Sequence, residues 1–283
     1  MAEASAPASS ANLGPGFDIL AMALELRCRV SAEPAATWSI DHGEGHQPDI
    51  DSDDAVLAAA KAAVGEGTPL ALKVDNEIPI GRGMGSSAAA LAAGAGAALA
   101  AIGDVVDHDH VFRLVADLEG HPDNAAAAVY GGLILVPAVG QPLRLPIHPG
   151  IRPVVAVPRA VFLTAQARLA LPDTVTREVA MRTAARVAAL TAGFVTGDAA
   201  MFAHAGGDEI HEEPRSRHHP TTAEMVRRAR DAGALHAAWS GSGPSVVAFV
   251  DSGSQERVVT AMTSADTKVH VLDVATRGLE ISA

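Results

Sequence analysis

Residues 79–90 read Pro-Ile-Gly-Arg-Gly-Met-Gly-Ser-Ser-Ala-Ala-Ala, and this passage restricts the fold more than any other part of the chain. Gly81, Gly83 and Gly85 lack a Cβ, so the backbone can turn tightly and bring several N–H groups against an anion. The alanine-rich stretch that follows, Ser87–Ile102, has a helical pattern, and the positive end of its dipole would lie at the loop. The sequence therefore predicts a loop-to-helix site for the phosphates of a nucleotide.

Two commoner phosphate motifs do not match this glycine loop. A Walker A loop requires G-x-x-x-x-G-K-[ST], and no lysine follows Gly83 or Gly85. A dinucleotide loop requires G-x-G-x-x-G in a βαβ unit, whereas the spacing here is G-x-G-x-G after a proline. A glycine-rich turn with no ligand remains open on the glycines alone. The tandem Ser86-Ser87 favours a ligand site, because hydroxyls at a helix start can contact phosphate or Mg²⁺ as well as cap the helix.

Composition excludes several classes of function. With 283 residues and 48% hydrophobic residues, the chain is long enough for a large core in one or two domains. The net charge of −12 argues against nucleic acid or an anionic membrane surface as a partner. Cys28 is the only cysteine, so no intrachain disulfide and no cysteine-based metal site can form. Met1–Ser10 lacks the features of a signal peptide, and the most apolar run, Ala88–Ile102, is too short and too rich in alanine to span a bilayer. We therefore predict a cytoplasmic protein with no membrane partner.

Strand and helix patterns alternate along the chain and predict a mixed α+β fold. Short β-branched runs flanked by turn residues predict strands at Leu70–Val74, Leu133–Val136, Val154–Val157 and Val246–Val250. Apolar residues at helical spacing predict helices at Asp54–Val64, Ser87–Ile102, Asp109–Leu118, Thr176–Phe194 and Thr221–Ala232. Prolines cluster between residues 142 and 153, which places a predicted boundary between subdomains at residues 1–150 and 151–283.

Two further segments stand out by composition. A second glycine loop, Trp239-Ser-Gly-Ser-Gly-Pro-Ser245, precedes a strand and by itself indicates a turn. Pro7–Asp18 holds two prolines and two glycines, so we expect neither regular helix nor strand there, and the short polar stretch before Pro7 predicts a poorly ordered edge. The histidines of residues 204–219 match no metal-ligand spacing, and we expect them to be exposed: these are His204, His211, His218 and His219.

The Pro7–Asp18 segment, the glycine loop and the second glycine loop, in this order and at these separations, resemble the three signature motifs of the GHMP kinases, a family of small-molecule kinases. Pro7–Asp18 and Glu119-Gly-His-Pro-Asp-Asn124 resemble the homoserine kinase branch in particular. The segment Thr164-x-x-x-Arg168 followed by Leu171-Pro172 has the same resemblance.

The resemblance implies a two-subdomain fold, with an S5-like N-terminal domain and a ferredoxin-like C-terminal domain. It also implies transfer of the γ-phosphoryl group of ATP to the side-chain hydroxyl of L-homoserine, a step in threonine biosynthesis, with Mg²⁺ and as a homodimer. Two alternatives remain open: another GHMP kinase with a different small-molecule acceptor, or a catalytically silent ligand sensor with the same fold.

Site residues follow from the resemblance together with their chemistry. ATP would bind residues 79–89, which are Pro79, Ile80, Gly81, Arg82, Gly83, Met84, Gly85, Ser86, Ser87, Ala88 and Ala89. Ser87 and Glu119 would hold Mg²⁺, although Glu119 could also be a solvated carboxylate at a helix end. The acceptor would contact Asn12, Asp18, His121, Arg168 and Arg215.

The charges of the acceptor suggest how these contacts divide. The two guanidinium groups match its carboxylate, and Asp18 matches its ammonium. Asn12 and Asp18 could instead stabilise a turn, and Arg215 could be a surface arginine near Arg217.

The catalytic centre would comprise Asn124, Asp123 and Thr164. We assign Asp123 as a site residue and not as the general base, since it could serve only to orient Asn124, while Asn124 could simply cap the helix that follows.

Overall fold

The computed structural model describes residues 1–48, 54–161 and 164–282. These residues form two β-sheets, each packed against helices. The strands are β1 (Ala2–Ala11), β2 (Leu20–Pro34), β3 (Ser39–Gly45), β4 (Leu70–Asn76), β5 (Leu133–Leu135), β6 (Leu143–Leu145), β7 (Arg152–Pro158), β8 (His236–Trp239), β9 (Val246–Val250), β10 (Thr267–Val271) and β11 (Glu280–Ser282). The helices are α1 (Ala55–Val64), α2 (Ser86–Ala101), α3 (His108–Glu119), α4 (Pro122–Tyr130), α5 (Thr164–Leu169), α6 (Arg177–Thr196), α7 (Ala199–Ala203), α8 (Glu212–Ser216), α9 (Pro220–Asp231) and α10 (Gln255–Met262). The α+β class predicted from the sequence is confirmed.

The first sheet has the order β11-β1-β2-β4-β3, with β5 paired to β2 and β6 to β5. Helix α2 packs against β1, β2 and α1, and it is buried on nearly every side. Its alanines and glycines explain how it fits: a Cβ on Gly94 would lie 2.6 Å from the backbone oxygen of Val56 in α1. An apolar helix surrounded by protein needs no polar face, and none of the helices in the described part of the chain is both long and apolar enough to cross a bilayer.

The second sheet is antiparallel, with the order β10-β7-β9-β8. Numbered within this half of the chain, the order is 4-1-3-2, with helices between the first and second strands and between the third and fourth, which is the ferredoxin-like arrangement. Helices α9 and α10 pack on this sheet over a core that includes Trp239, Val226 and Val258. The ferredoxin-like expectation for this half of the chain is thus confirmed.

The N-terminal segment differs from the sequence expectation. Residues 7–11 belong to β1 and pair with β2, so they are not irregular, and residues 3–5 of β1 pair with both β2 and β11, so the stretch before Pro7 is not an edge. The register shifts between Pro7 and Ala8, and this bulge accommodates the proline inside a strand. Residues 12–19 connect β1 to β2, so only residues 12–18 of the Pro7–Asp18 segment form a loop.

The end of the chain returns to the first sheet. Strand β11 pairs with β1, and the buried Arg27 of β2 fastens this segment, because its guanidinium donates to the backbone oxygens of Arg277 (2.9 Å) and Gly278 (3.1 Å). The predicted boundary between residues 150 and 151 lies just before β7, and it stays a prediction.

Candidate active site

A cavity of about 320 Å³ lies where the main predicted motifs meet. Its walls come from the 12–18 loop, the glycine loop, the start of α4, helix α5 and the second glycine loop. The predicted residues that line it are Asn12, Asp18, Ile80, Gly81, Gly83, Met84, Gly85, Ser86, Ser87, Glu119, His121, Asp123, Asn124, Arg168 and Arg215. Residues from distant parts of the sequence therefore share one site.

The glycine loop is fixed by close backbone contacts. Gly83 has φ +73°, and a Cβ there would lie 2.1 Å from the backbone oxygen of Ser240 in the second glycine loop. Gly85 has φ +63°, and a Cβ there would lie 1.9 Å from Oγ of Ser9. Both positions require glycine because of their left-handed backbone and the lack of space. Ser240 Oγ also donates to the Gly83 oxygen at 2.6 Å, so the two glycine loops hold each other.

The start of α2 has no side-chain cap in the part of the chain that the structure describes. Its N-cap is Gly85, which has no side chain to accept from the first N–H groups of the helix. The alternative in which the serine hydroxyls serve as helix caps is therefore not the observed arrangement. N–H groups at a helix start without a cap are suited to bind an anion.

Four of the predicted ATP-binding residues lie outside the cavity lining, namely Pro79, Arg82, Ala88 and Ala89. The Arg82 guanidinium donates to the backbone oxygens of Ile80, Pro158 and Arg159 at 2.7–3.1 Å. These bonds tie the glycine loop to the end of β7. Arg82 thus holds the loop in place, and the alanines are buried in α2.

Glu119 and Ser87 form a hydrogen-bonded pair beside the glycine loop. The Glu119 side chain is only 9% exposed, so it is not the solvated helix-end carboxylate that the sequence left open. Burial raises its pKa despite the Ser87 hydrogen bond. Glu119 also ends α3, where the helix dipole is negative, so the carboxylate lacks a stabilising charge from its own helix.

His121 lies between two carboxylates. Its ring contacts Asp123 (Nδ1 to Oδ1, 3.0 Å) and Glu119 (Nε2 to Oε2, 3.5 Å), and the hydrogen bond to Asp123 raises its pKa. The same Asp123 oxygen accepts from the backbone N–H of Asn124 at 2.8 Å. Oδ1 of Asn124 in turn accepts from Ser9 Oγ at 2.7 Å. Asp123 is buried and holds its two neighbours in a fixed geometry.

The cavity also carries the charged residues predicted for the acceptor. Arg168 of α5 and Asp18 of the 12–18 loop form a bidentate ion pair, with N–O distances of 3.0 and 3.2 Å. Both side chains are partly exposed, at 38% and 35% respectively, so they remain accessible to a ligand. The Arg168 guanidinium also lies 5.7 Å from the centre of the Phe17 ring.

The 12–18 loop is strained and tightly anchored. Asn12, Leu13 and Asp18 all have φ values between +54° and +69°, a left-handed backbone that is unfavourable for residues with a side chain. Asn12 accepts from the Asp18 N–H through Oδ1 (3.0 Å) and donates through Nδ2 to the Gly241 oxygen (2.8 Å). His236 forms a hydrogen bond between its Nε2 and the backbone oxygen of Leu13 at 3.0 Å. Asn12 thus stabilises the turn, the alternative that the sequence left open, while it also faces the cavity.

Arg215 is not a surface arginine. It is 2% exposed and lines the cavity from α8, and burial lowers its pKa to about 10. The expectation that the histidines of residues 204–219 are exposed is wrong for His211, which is fully buried next to Arg215, and for His219, which is half-buried. Charged neighbours in the sequence predicted an exposed stretch, but α8 turns His211 inward beneath the 12–18 loop. No group of three or more His, Cys, Asp or Glu residues within the described ranges could hold a metal ion.

Two family models match the chain: GHMP kinases N terminal domain over residues 54–132, and GHMP kinases C terminal over residues 189–267. The homoserine kinase of Moorella thermoacetica is 40% identical over 268 residues, spanning 92% of this chain and 90% of that protein. A homoserine kinase of Thermus thermophilus is 39% identical over 264 residues, spanning 91% and 90%. The chain belongs to the homoserine kinase branch of the GHMP kinase family.

Solved structures agree on the fold of this kinase. The crystal structure of homoserine kinase from Cytophaga hutchinsonii superimposes with a TM-score of 0.87 at 24% identity, covering 99% of this chain and 96% of that one. The mevalonate kinase of Methanococcus jannaschii gives a TM-score of 0.72 at 13% identity, covering 96% and 98%. The family and the two-subdomain fold indicated by the sequence motifs are confirmed.

Several residues at or beside the cavity of this kinase were not assigned to the site from the sequence. Phe17 lines the cavity with its ring stacked on His211, and His42 and Asp54, 2.8 Å apart, line it near α1. Phe17 lies within the Pro7–Asp18 segment, whereas His211, His42 and Asp54 come to this place only through tertiary contacts. The backbone of Thr164 starts α5, whereas its side chain lies outside the described part of the structure, so its predicted role is untested.

Proposed function

We propose that this kinase transfers the γ-phosphoryl group of ATP to the side-chain hydroxyl of L-homoserine. The observation that carries the proposal is the set of charges in the cavity: two guanidinium groups and one carboxylate, from Arg168, Arg215 and Asp18, together with the glycine loop. An α-amino acid presents one carboxylate and one ammonium group. It can therefore replace the Arg168–Asp18 ion pair with two ion pairs of its own.

Phosphoryl transfer depends mainly on positioning and on neutralisation of charge, because its transition state is loose. The uncapped start of α2 and the glycine loop would bind the polyphosphate through backbone N–H groups. The Arg168, Arg215 and Asp18 side chains would orient the acceptor so that its hydroxyl faces the γ-phosphorus. The Ser240–Gly83 hydrogen bond joins the glycine loop to the second glycine loop, whose Gly241 oxygen accepts from Asn12 and Arg215, so the two groups of residues are linked.

Ser87 and Glu119 would hold Mg²⁺. Both offer the hard oxygen ligands that Mg²⁺ prefers, and the buried Glu119 carboxylate lacks a compensating charge from its own helix, so the residues fit a divalent cation. When bound, Mg²⁺ would neutralise charge on the β- and γ-phosphates. One hydroxyl and one carboxylate are few protein ligands, which is typical of Mg²⁺ bound together with a nucleotide.

Asp123 would act as a positioning residue. Its Oδ1 accepts two hydrogen bonds, from the His121 ring and from the Asn124 N–H, and the residue is 2% exposed. These contacts orient Asn124 and His121 toward the cavity. The homodimer and the cytoplasmic location stay predictions.

A coupled ADP-release assay with L-homoserine, L-serine, mevalonate and galactose in parallel tests the proposed function. Turnover with L-homoserine alone supports it; preference for another acceptor would indicate a different GHMP activity, and no turnover with any of the four would indicate a ligand sensor. Arg168→Ala should raise KM for homoserine roughly 10- to 100-fold, since a hydrogen-bonded charge pair contributes about 1.5–3 kcal/mol. Arg177→Ala is the matched control, because Arg177 is 85% exposed at the start of α6 and should change nothing.

A further inference from the structure

Arg215 is a buried guanidinium whose hydrogen-bond acceptors are all neutral. Its Nε donates to the Ala167 oxygen and its Nη1 to the Gly241 oxygen, both at 3.3 Å. The shorter bond, at 2.9 Å, joins Nη1 to Nδ1 of His211. Within the described chain Arg215 forms no direct ion pair, so its charge remains available for an anion in the cavity.

The contacts of His211 require a single tautomer. Its Nε2 lies 2.8 Å from the backbone oxygen of Gly14, and a carbonyl oxygen can only accept, so Nε2 carries the hydrogen. Arginine can only donate, so Nδ1 must be the unprotonated nitrogen that accepts from Arg215. The donation from Arg215 to Nδ1 keeps the imidazole neutral, and burial lowers the pKa of His211 to about 4, although Asp208 Oδ2, 3.7 Å from Nε2, opposes this shift.

His211 also contacts the loop that carries Asp18. Gly14 belongs to the 12–18 loop, and the Phe17 ring of that loop stacks on the His211 ring with 5.2 Å between centres. The Arg215 guanidinium lies 5.5 Å from the centre of the same Phe17 ring. The His211 ring thus donates to the 12–18 loop through Nε2 and accepts from Arg215 through Nδ1, while its face stacks on the Phe17 ring.

We propose that His211 is a positioning residue for the phosphoryl acceptor. It sets the distance between the Arg215 cation and the loop bearing the Asp18 carboxylate. The inference rests on the function proposed above. A neutral hydrogen-bond acceptor such as His211 Nδ1 suits this role, because it orients the Arg215 guanidinium without neutralising its charge. A carboxylate in the same place would pair with Arg215 and compete with the carboxylate of the substrate.

The two bonds of His211 are not equally replaceable. The 12–18 loop has further anchors, from His236 to the Leu13 oxygen (3.0 Å) and from Asn12 to the Gly241 oxygen (2.8 Å). The other two bonds of Arg215 are both long, at 3.3 Å. Loss of the bond to Arg215 should therefore harm acceptor binding more than loss of the bond to Gly14.

Two amide substitutions separate these bonds. The amide of asparagine lies near the place of Nδ1, so His211→Asn keeps an acceptor for Arg215. The amide of glutamine reaches the place of Nε2, so His211→Gln keeps only the donor to Gly14. We expect His211→Gln to raise KM for homoserine about tenfold, with kcat and KM for ATP within about threefold, and His211→Asn to raise it less than about threefold. His204→Gln, at an exposed histidine, is the control.

The proposal is overturned if His211→Gln leaves KM for homoserine unchanged, if His211→Asn is equally affected, or if KM for ATP rises in parallel. Long-range ¹H–¹⁵N NMR of the wild-type histidines is an independent test that does not need the Gln variant to fold. His211 should show a protonated Nε2 and an unprotonated Nδ1. An Nδ1–H tautomer or an imidazolium at neutral pH refutes the proposal. If the wild-type protein releases no ADP with homoserine, the proposed function fails. The NMR measurement of the His211 tautomer still tests the contacts of His211 in that case.

Discussion

Replacement of Gly83 by alanine tests whether the contact between the two glycine loops holds the phosphate site in shape. Gly83 has φ +73°, and an added Cβ would lie 2.1 Å from the Ser240 oxygen and 2.8 Å from the Gly243 nitrogen. These are backbone atoms, so a rotamer change cannot relieve the overlap. A left-handed alanine costs about 1–2 kcal/mol, and an overlap in a packed region adds about 1–3 kcal/mol.

The chain offers a matched control in Gly103. It has nearly the same backbone, with φ +78°, but no atom lies within 4 Å of the place of its Cβ. Gly103→Ala should therefore show only the conformational cost, about 1–2 kcal/mol. Calorimetry should show Gly83→Ala melting roughly 2–6 °C below Gly103→Ala, at about 2 °C per kcal/mol for a chain of this size.

The same two variants connect stability with function. Gly83→Ala should raise KM for ATP several-fold, because the N–H groups of the loop move with its backbone, while Gly103→Ala should leave it unchanged. Equal melting temperatures for the two variants would refute the steric argument. A lower melting temperature for Gly83→Ala with an unchanged KM for ATP would refute the assignment of the loop to the phosphates.

Three other outcomes follow from the buried carboxylates. Burial raises the pKa of Glu212 from 4.5 to about 7, so the free energy of unfolding falls as pH rises from about 4.5 to 7. Glu212→Gln should flatten this dependence and raise the free energy of unfolding by about 3 kcal/mol at pH 8, measured by urea unfolding at pH 5 and 8. An unchanged pH dependence would contradict the assignment. Glu119→Gln should raise the Mg²⁺ concentration for half-maximal ADP release about tenfold, while an unaltered Mg²⁺ titration would remove Glu119 from the metal site. Asp123→Asn should keep kcat within a few-fold in steady-state assays, and a loss of a thousandfold would make Asp123 a general base after all.

The sequence predicted those parts of the fold that depend on local pattern. The glycine loop, helix α2 and strand β9 lie where periodicity and turn residues place them, because their signals span only a few neighbouring residues. Strand β1 was missed in part because Pro7 argues against a strand, and the sequence does not reveal the bulge beside Pro7 in the pairing with β2.

The candidate site could be predicted in its residue types and not in its contacts. Asp18 and Arg168 were assigned to opposite charges of a substrate, yet their pairing across 150 positions of sequence follows only from the fold. His211 gave no local signal, since a histidine among charged residues usually lies at the surface. Its burial depends on α8 packing beneath a loop near the other end of the chain.

The return of β11 to the first sheet has a consequence for how this protein is made. Residues 280–282 are synthesised after every other strand of the first sheet, so residues 3–5 of β1 have no neighbour on that side until those residues emerge from the ribosome. A fragment that stops near residue 150 would expose that strand as an open edge and should aggregate. Nascent chains of this enzyme should therefore resist protease only after residues 280–282 have emerged and paired with β1.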